Sequence, residues 1–121
     1  MSKDASFHRP VTVSVVVHAQ WHLVEPLLRQ LQEHCSHVID QVILTVNLPE
    51  PDVLAGDWRL PVRRIDNPEP RGFGANHNAA FRHCRTPWFL VINPDVRLDS
   101  DVLSALLDRV EPGVALVTPR I

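Results

Sequence analysis

Trp88-Phe89-Leu90-Val91-Ile92-Asn93-Pro94-Asp95 is a short apolar run that ends in a polar, proline-containing tripeptide. A run of this length, rich in β-branched and aromatic residues, is typical of a parallel strand that is buried on both faces. Open α/β sheets bind their ligands beyond the carboxyl ends of such strands. Because Asp95 directly follows the run, we expect its carboxylate at the ligand-binding edge of a sheet.

The tripeptide Asn93-Pro94-Asp95 has two interpretations. All three residue types are common in turns, so the tripeptide by itself favours a simple turn. Side-chain oxygens such as those of Asn93 and Asp95 are also the ligands that Mg²⁺ and Mn²⁺ prefer, and one carboxylate suffices where substrate phosphates complete the coordination. The position after a buried strand, downstream of a glycine-bearing segment, reverses the preference and predicts a divalent metal, Mn²⁺ or Mg²⁺, at Asp95.

That segment is Arg71-Gly72-Phe73-Gly74-Ala75-Asn76-His77-Asn78, which is typical of a turn that opens a helix. Gly72 and Gly74 permit positive φ angles and a close approach of backbone to ligand, and helix N-termini favour anions. The segment is not a dinucleotide fingerprint, because His77 stands at the third glycine position and the turn does not follow the first strand. An NAD-dependent oxidoreductase is therefore a poor match.

Three polar side chains of this segment are candidate ligand contacts. Arg71 is positioned to contact a phosphate, and Asn76 or Asn78 to bond a base or a sugar. Taken singly, these residues have an equally good alternative explanation. The arginine side chain would be solvated, and the segment would simply be a capped helix start. Together with the metal candidate Asp95, the segment indicates a nucleotide site.

The hydrophobic pattern predicts alternating strands and helices over a single domain, residues 11–121, after a flexible arm at residues 1–10. Asp99 or Ser100 is predicted as the N-cap of the last helix, and Asp99 and Asp101 are predicted to cap it as carboxylates that complement its dipole. The order β-α-β-β-α-β-α-β indicates an α/β fold, a mainly parallel sheet with helices on both faces. The predicted strands are 11–17, 41–46, 62–65, 88–92 and 114–117, and the predicted helices are 21–35, 74–84 and a stripe over 103–110.

Composition limits the possible partners. The chain has 121 residues and a formal net charge of −2, so it offers no basic field for nucleic acid. No apolar run is long enough to cross a bilayer and no signal-peptide layout is present, which predicts a cytoplasmic protein. The two cysteines, Cys35 and Cys84, are far apart in sequence, and we expect both to be reduced.

Three stretches together resemble the nucleotide-sugar-binding half of family 2 glycosyltransferases: residues 13–17, residues 71–78, and Phe89-Leu90-Val91-Ile92-Asn93-Pro94-Asp95-Val96-Arg97-Leu98. The similarity is greatest to the rhamnosyltransferase-like branch, whose version of the Asp-x-Asp motif is often Asn-Pro-Asp. The resemblance covers residues 11–121 and implies a GT-A (Rossmann-like) fold of the nucleotide-diphospho-sugar transferase type. It also implies transfer of a sugar from a nucleotide-diphosphate donor to a hydroxyl, with inversion.

The resemblance implies roles for particular residues. Asp95 would meet the divalent metal on the donor's diphosphate, and Asn93 would occupy the weaker first position of the motif. Asn67 and the segment from Gly72 to Asn78 would lie around the nucleotide and its diphosphate. The implied partner is a nucleotide-diphospho-sugar, and the family suggests an association with the membrane periphery.

The chain departs from the family pattern in three places. His18-Ala19-Gln20-Trp21 stands where the family usually has a Pro/Val-Thr-Tyr-Asn-like stretch against the base. Val46 stands where the family has a nucleoside-binding Asp, so His18 and the following Asn47 become the donor-binding candidates at these two strand ends. The family also continues beyond the position of Ile121 into an acceptor-binding half with the catalytic base, so the resemblance implies a truncated fold and assigns no catalytic residue.

Two functions remain as hypotheses. The first is the metal-dependent donor-binding portion of a glycosyltransferase. The second is a non-catalytic module that binds a nucleotide sugar or oligomerises, because half of a GT-A sheet would leave strand edge and apolar surface that a second copy could cover.

Overall fold

The computed structural model describes residues 9–109 and 116–117, which form one five-stranded sheet with helices on both faces. The bounds confirm the predicted order of elements. The strands are β1 (Val11–His18), β2 (Ile39–Leu48), β3 (Val62–Asp66), β4 (Trp88–Val91) and β5 (Leu116–Val117), and the helices are α1 (Trp21–Cys35), α2 (Phe73–Phe81) and α3 (Val102–Arg109).

All neighbouring strands are parallel, in the order β3-β2-β1-β4-β5. The chain moves outward from β1 through β2 to β3, and then crosses back to place β4 on the other side of β1. The strand order therefore reverses between β1 and β4. In open α/β sheets, the crevice beyond the carboxyl ends of the strands at such a reversal is the usual ligand site.

One face of the sheet packs against α1 and α3. The leucines that recur at three- and four-residue spacing along α1 are fully buried there, which is the arrangement predicted by their period. They contact alternate residues of β1, which point to this face because side chains alternate along a strand. The buried leucines are Leu27, Leu28 and Leu31, and the β1 residues are Val11, Val13, Val15 and Val17.

The opposite face is covered by α2, which crosses from β3 to β4. Ala80 is fully buried in a small cluster with Ile43, Phe89 and Val91, and its short side chain allows close packing of helix on sheet. Phe81 remains about half exposed and packs edge-on against Phe89, with 5.1 Å between ring centroids. The expectation of helices on both faces is confirmed.

Several predicted boundaries were wrong by a few residues. The second strand begins at Ile39 and not at Gln41, and the middle helix spans Phe73–Phe81 and not 74–84. Residues 1–8 of the predicted flexible arm lie outside the described residues. Pro10, at its end, is tied to the sheet because its carbonyl accepts a hydrogen bond from the Trp88 amide at 3.2 Å. Residues 114 and 115 of the predicted fifth strand also lie outside the description. Cys35 and Cys84 are free thiols, as predicted.

The N-cap of α3 is Asp101, one of the two carboxylates predicted to cap this helix, and the prediction of Asp99 or Ser100 as the N-cap was wrong. Asp101 Oδ1 accepts a hydrogen bond from the Ser104 amide at 3.1 Å. Asp101 Oδ2 lies 2.8 Å from Nε2 of His37, which follows the end of α1. Partial burial acts to raise the pKa of Asp101. Hydrogen bonds from Ser104 and the charge of His37 outweigh it, so the pKa lies below its ordinary value of 3.8.

Replacing Asp101 with alanine is expected to lower the free energy of unfolding by about 1 kcal/mol, because the α3 cap is lost. A carboxyl whose folded-state pKa is depressed stabilises the fold fully above its unfolded-state pKa, and this contribution is lost as the pH falls through the folded value. In urea unfolding, the difference in the free energy of unfolding between wild type and variant should thus be larger at about pH 6 than at about pH 3. Asp99→Ala, an exposed neighbour, should leave stability unchanged at both.

Candidate functional site

An open cleft of about 260 Å³ lies at the strand reversal between β1 and β4. It is formed by the carboxyl ends of β1, β2 and β4 together with the start of α2. Arg71 is the only lysine, arginine, aspartate or glutamate among the described residues that line it. The lining side chains used below are those of His18, Asn47, Arg71, Phe73, Asn76, His77, Asn93 and Pro94.

Three asparagines join the β2 end, the β3 end and α2. Asn47 is buried, and its Oδ1 accepts hydrogen bonds from the Arg71 amide and from Asn67 Nδ2, both at 2.8 Å. Asn47 Nδ2 donates to the Arg71 carbonyl and to His18 Nδ1, both at 2.9 Å. We call Asn47, Asn67 and Asn76 the asparagine clasp. Because an amide has two donors and two acceptor positions, the side chain of Asn47 is fully used by the protein.

The remaining bonds of the asparagine clasp complete the connection to α2. Asn67 Nδ2 donates to Asn76 Oδ1 at 2.8 Å, and Asn76 Nδ2 donates to the Arg71 carbonyl at 3.3 Å. The Asn67 amide also donates to the Val46 carbonyl at 3.0 Å, which continues the β2–β3 ladder. The clasp therefore fixes the backbone of Arg71 at the entrance to α2.

The asparagine clasp also sets the tautomer of His18. The Asn47 amide has one possible orientation, because its oxygen must face the Arg71 N–H and its nitrogen must face the Arg71 carbonyl. His18 Nδ1 consequently accepts a hydrogen bond from Asn47 Nδ2, and the proton of the neutral ring lies on Nε2. His18 is exposed at the cleft and presents Nε2–H as a donor.

Arg71 and the N-terminus of α2 give the cleft a positive character. The Arg71 guanidinium is exposed and makes no ion pair with any residue in the described ranges 9–109 and 116–117. Helix α2 begins at Phe73 with Gly72 at its N-cap position and has no side-chain cap. The first amides of a helix without such a cap favour an anion.

The N-terminus of α1, at the same edge of the sheet, is already occupied. Glu50 Oε2, from the loop after β2, accepts a hydrogen bond from the Trp21 amide at 2.9 Å. The side chain of the N-cap residue Gln20 makes no capping hydrogen bond. This carboxylate complements the positive end of the α1 dipole. Of the two helix N-termini beside the cleft, α2 is the one left open to an external anion.

Gly72 and Gly74 differ from expectation in one respect. Gly72 has φ −75°, and Gly74 also lacks a positive φ. Neither position therefore requires glycine for a left-handed backbone conformation. A Cβ atom at either position would meet no other atom within 4 Å. Both glycines are exposed, so the segment is open to a ligand without being conformationally special.

The Asn93-Pro94-Asp95 tripeptide forms a hydrogen-bonded turn and also borders the cleft. The Val96 amide donates to the Asn93 carbonyl at 3.1 Å, while Asn93 and Pro94 line the cleft. Asp95 is exposed beside them. The side chains of Asn93 and Asp95 make no hydrogen bond to the part of the chain that the structure describes, so their oxygens are free for a ligand.

These oxygens fit a hard divalent cation. Carboxylate and amide oxygens suit Mg²⁺ and Mn²⁺, which bind through one or two carboxylates and retain other positions for water or substrate phosphate. No group of three His, Cys, Asp or Glu side chains with metal-site geometry exists within the described residues. A metal at Asp95 would therefore take its remaining oxygens from water or from substrate phosphate.

The family comparison adds to this geometry. A model described as glycosyl transferase family 2 matches residues 15–121. The chain belongs to glycosyl transferase family 2. No curated protein and no solved structure gives a significant match. The α/β architecture with its parallel sheet agrees with the GT-A fold expected for this family.

The structure brings only some of the predicted site residues to the cleft of this family 2 chain. His18, Asn47, Arg71 and Asn93 line it. Asn67 lies behind them as part of the asparagine clasp. The exposed residues Gly72, Gly74, Asn78 and Asp95 are outside the lining.

His77, which occupies the third glycine position of the segment and was not among the predicted ligand contacts, lines the family 2 cleft. It is buried, and its Nδ1 lies 2.7 Å from Ser14 Oγ on β1. Burial lowers the pKa of His77, so the ring is neutral at physiological pH. Its partner is 63 residues away in sequence, and no local pattern indicates the pair.

None of the described helices of this family 2 chain is both long and apolar enough to cross a bilayer.

Proposed function

We propose that the cleft binds the diphosphate of a nucleotide-sugar donor, and that the chain supplies the donor-binding portion of a metal-dependent glycosyltransferase. The observation that carries the proposal is the Arg71 guanidinium at the strand reversal, which makes no ion pair with the described residues and lies beside a helix N-terminus without a side-chain cap. No carboxylate of the described residues lines this cleft to compete with a phosphate. Membership of glycosyl transferase family 2 supports the same ligand class.

In this proposal each group has a distinct task. Arg71 offsets the negative charge of the diphosphate through charge-assisted hydrogen bonds, and its backbone is held for this purpose by the asparagine clasp. Asp95, with Asn93, would hold a divalent cation, which supplies Lewis-acid stabilisation of the departing nucleoside diphosphate. His18 offers Nε2–H as a hydrogen-bond donor to the nucleotide.

The finer features of the proposal rest on family resemblance. Transfer to a hydroxyl with inversion is proposed on that basis, and Asn93-Pro94-Asp95 supports the rhamnosyltransferase-like branch. Because no carboxylate lines the cleft among the described residues, no catalytic base is assigned. A cytoplasmic location, peripheral membrane contact and self-association stay predictions, and the family match does not favour the non-catalytic alternative.

The test is calorimetric titration of the chain with UDP, dTDP and GDP in Mg²⁺ or Mn²⁺. We expect one nucleotide to bind, and Arg71→Gln to weaken it about 10-fold to 100-fold, since a hydrogen bond to a charged group contributes roughly 1.5–3 kcal/mol. Arg82→Gln is the matched control, because Arg82 is exposed at the other end of α2 and does not line the cleft. Absence of binding by all three nucleotides would contradict the proposal.

A further inference from the structure

Two phenylalanines on α2 are exposed, and they differ in location. Phe73 is 63% exposed and Phe81 is 54% exposed, and they are the large hydrophobic residues classed as exposed within residues 9–109. Phe73 lies at the first position of α2 and lines the cleft, whereas Phe81 lies at the last position and packs on Phe89. An exposed apolar ring at the mouth of a cleft has no role in the core of the fold.

The ring of Phe73 is held in place. It contacts His77 edge-to-face, with 4.4 Å between ring centroids and 66° between ring planes. His77 is buried and is itself fixed to β1 by the hydrogen bond between its Nδ1 and Ser14 Oγ. The rigid sheet therefore orients the Phe73 ring through His77, which reduces the entropy cost of placing a ligand against it.

No other phenylalanine or tryptophan ring of the described residues lines the cleft. Trp21, the aromatic residue just after β1, is buried and packs edge-on against Trp58, with 6.2 Å between centroids. Its ring is committed to the core on the α1 side of the sheet. Among the phenylalanine and tryptophan rings of the described residues, Phe73 is therefore the one available to a planar ligand in the cleft.

We propose that Phe73 is the platform on which the nucleobase of the donor stacks. This inference rests on the proposed function, because it assumes that the cleft binds a nucleotide. The base is the planar aromatic part of a nucleotide sugar, and stacking on an aromatic side chain tolerates any base since every base has a π-face. Phe73 thus contributes affinity for the nucleoside, while the choice among bases depends on hydrogen-bond donors such as His18.

The experiment compares two ligands across three variants. The ligands are inorganic pyrophosphate and whichever of UDP, dTDP and GDP binds the wild-type chain most tightly, each titrated calorimetrically in Mg²⁺. Phe73→Leu is expected to weaken the nucleotide roughly 5-fold to 100-fold and to leave pyrophosphate binding unchanged. Phe81→Leu, the matched control on the same helix, should change neither ligand. Phe73→Tyr keeps the π-face and should retain nucleotide affinity.

The outcomes distinguish a failure of the stacking role from a failure of the proposed function. Equal nucleotide affinity in wild type and Phe73→Leu would overturn the stacking role while leaving the nucleotide site intact. Equal loss of nucleotide and pyrophosphate affinity would overturn it too, because Phe73 would then shape the phosphate site. If the wild type bound pyrophosphate but no nucleotide, both this inference and the proposed function would be wrong.

Discussion

Asp95→Asn is expected to remove the metal-dependent part of nucleotide binding. In Mg²⁺ or Mn²⁺ the variant should bind the nucleoside diphosphate at least about 100-fold more weakly than wild type, because a bound cation contributes several kcal/mol of charge stabilisation. In excess EDTA the two proteins should bind equally weakly. Asparagine has nearly the same shape and Asp95 is exposed, so the fold should be unaffected. The measurement is calorimetry with and without the metal.

The matched control for Asp95→Asn is Asp99→Asn. Asp99 is an exposed carboxylate four residues along the same loop, and unlike Asp95 it is not next in sequence to the lining residues Asn93 and Pro94. Its replacement removes the same charge from the same region and should leave metal-dependent binding intact. If both variants lost affinity equally, the effect would be a general change in surface charge, and Asp95 would not be a metal ligand.

The second large effect is expected for Asn47→Ala, which should destabilise the fold by roughly 2–4 kcal/mol. The substitution removes four hydrogen bonds at once, leaves the Arg71 amide without its acceptor, and leaves the Arg71 carbonyl with Asn76 Nδ2 as its donor in the asparagine clasp. Nucleotide affinity should also fall, since Arg71 loses its fixed position. Urea unfolding measures the first effect and calorimetry the second.

Two further variants test whether the loss of stability comes from the hydrogen bonds of Asn47. Asn47→Asp removes part of these bonds, and Asn78→Ala is the control. An aspartate keeps the acceptor for Asn67 and for the Arg71 amide, and His18 can change tautomer to donate to it. The Arg71 carbonyl then loses the donor at 2.9 Å and keeps the one from Asn76 Nδ2 at 3.3 Å. The loss of stability should then lie between those of wild type and alanine. Asn78 is exposed on α2, and its replacement should be nearly neutral. Equal stability of wild type and Asn47→Ala would contradict the role of the clasp.

The architecture was predictable because its determinants are local. The leucine spacing of α1 and the valine run of β1 each carry the period of their element, and the burial that results follows from that period. The turn at Asn93 was predictable for the same reason, since three adjacent residues define it.

The asparagine clasp was not predictable, because its partners are distant in sequence. Asn47 and Arg71 are separated by 24 residues, and Glu50 caps a helix that begins 29 residues earlier. A resemblance to the family identified Asn47 and Asn67 as site residues, but it gave no reason to expect that they bond to each other. Side-chain hydrogen bonds of this kind depend on register and loop path, which composition and periodicity do not encode.

Glu50 has a consequence for ligand selection. In dinucleotide-binding sheets the N-terminus of the first crossover helix binds a pyrophosphate, whereas here the same position holds a tethered carboxylate. Glu50 is an intramolecular competitor whose effective concentration is on the order of millimolar or more, so an external anion at α1 would first have to displace it. This chain thus selects where an anion binds by filling one of two equivalent helix ends with its own side chain.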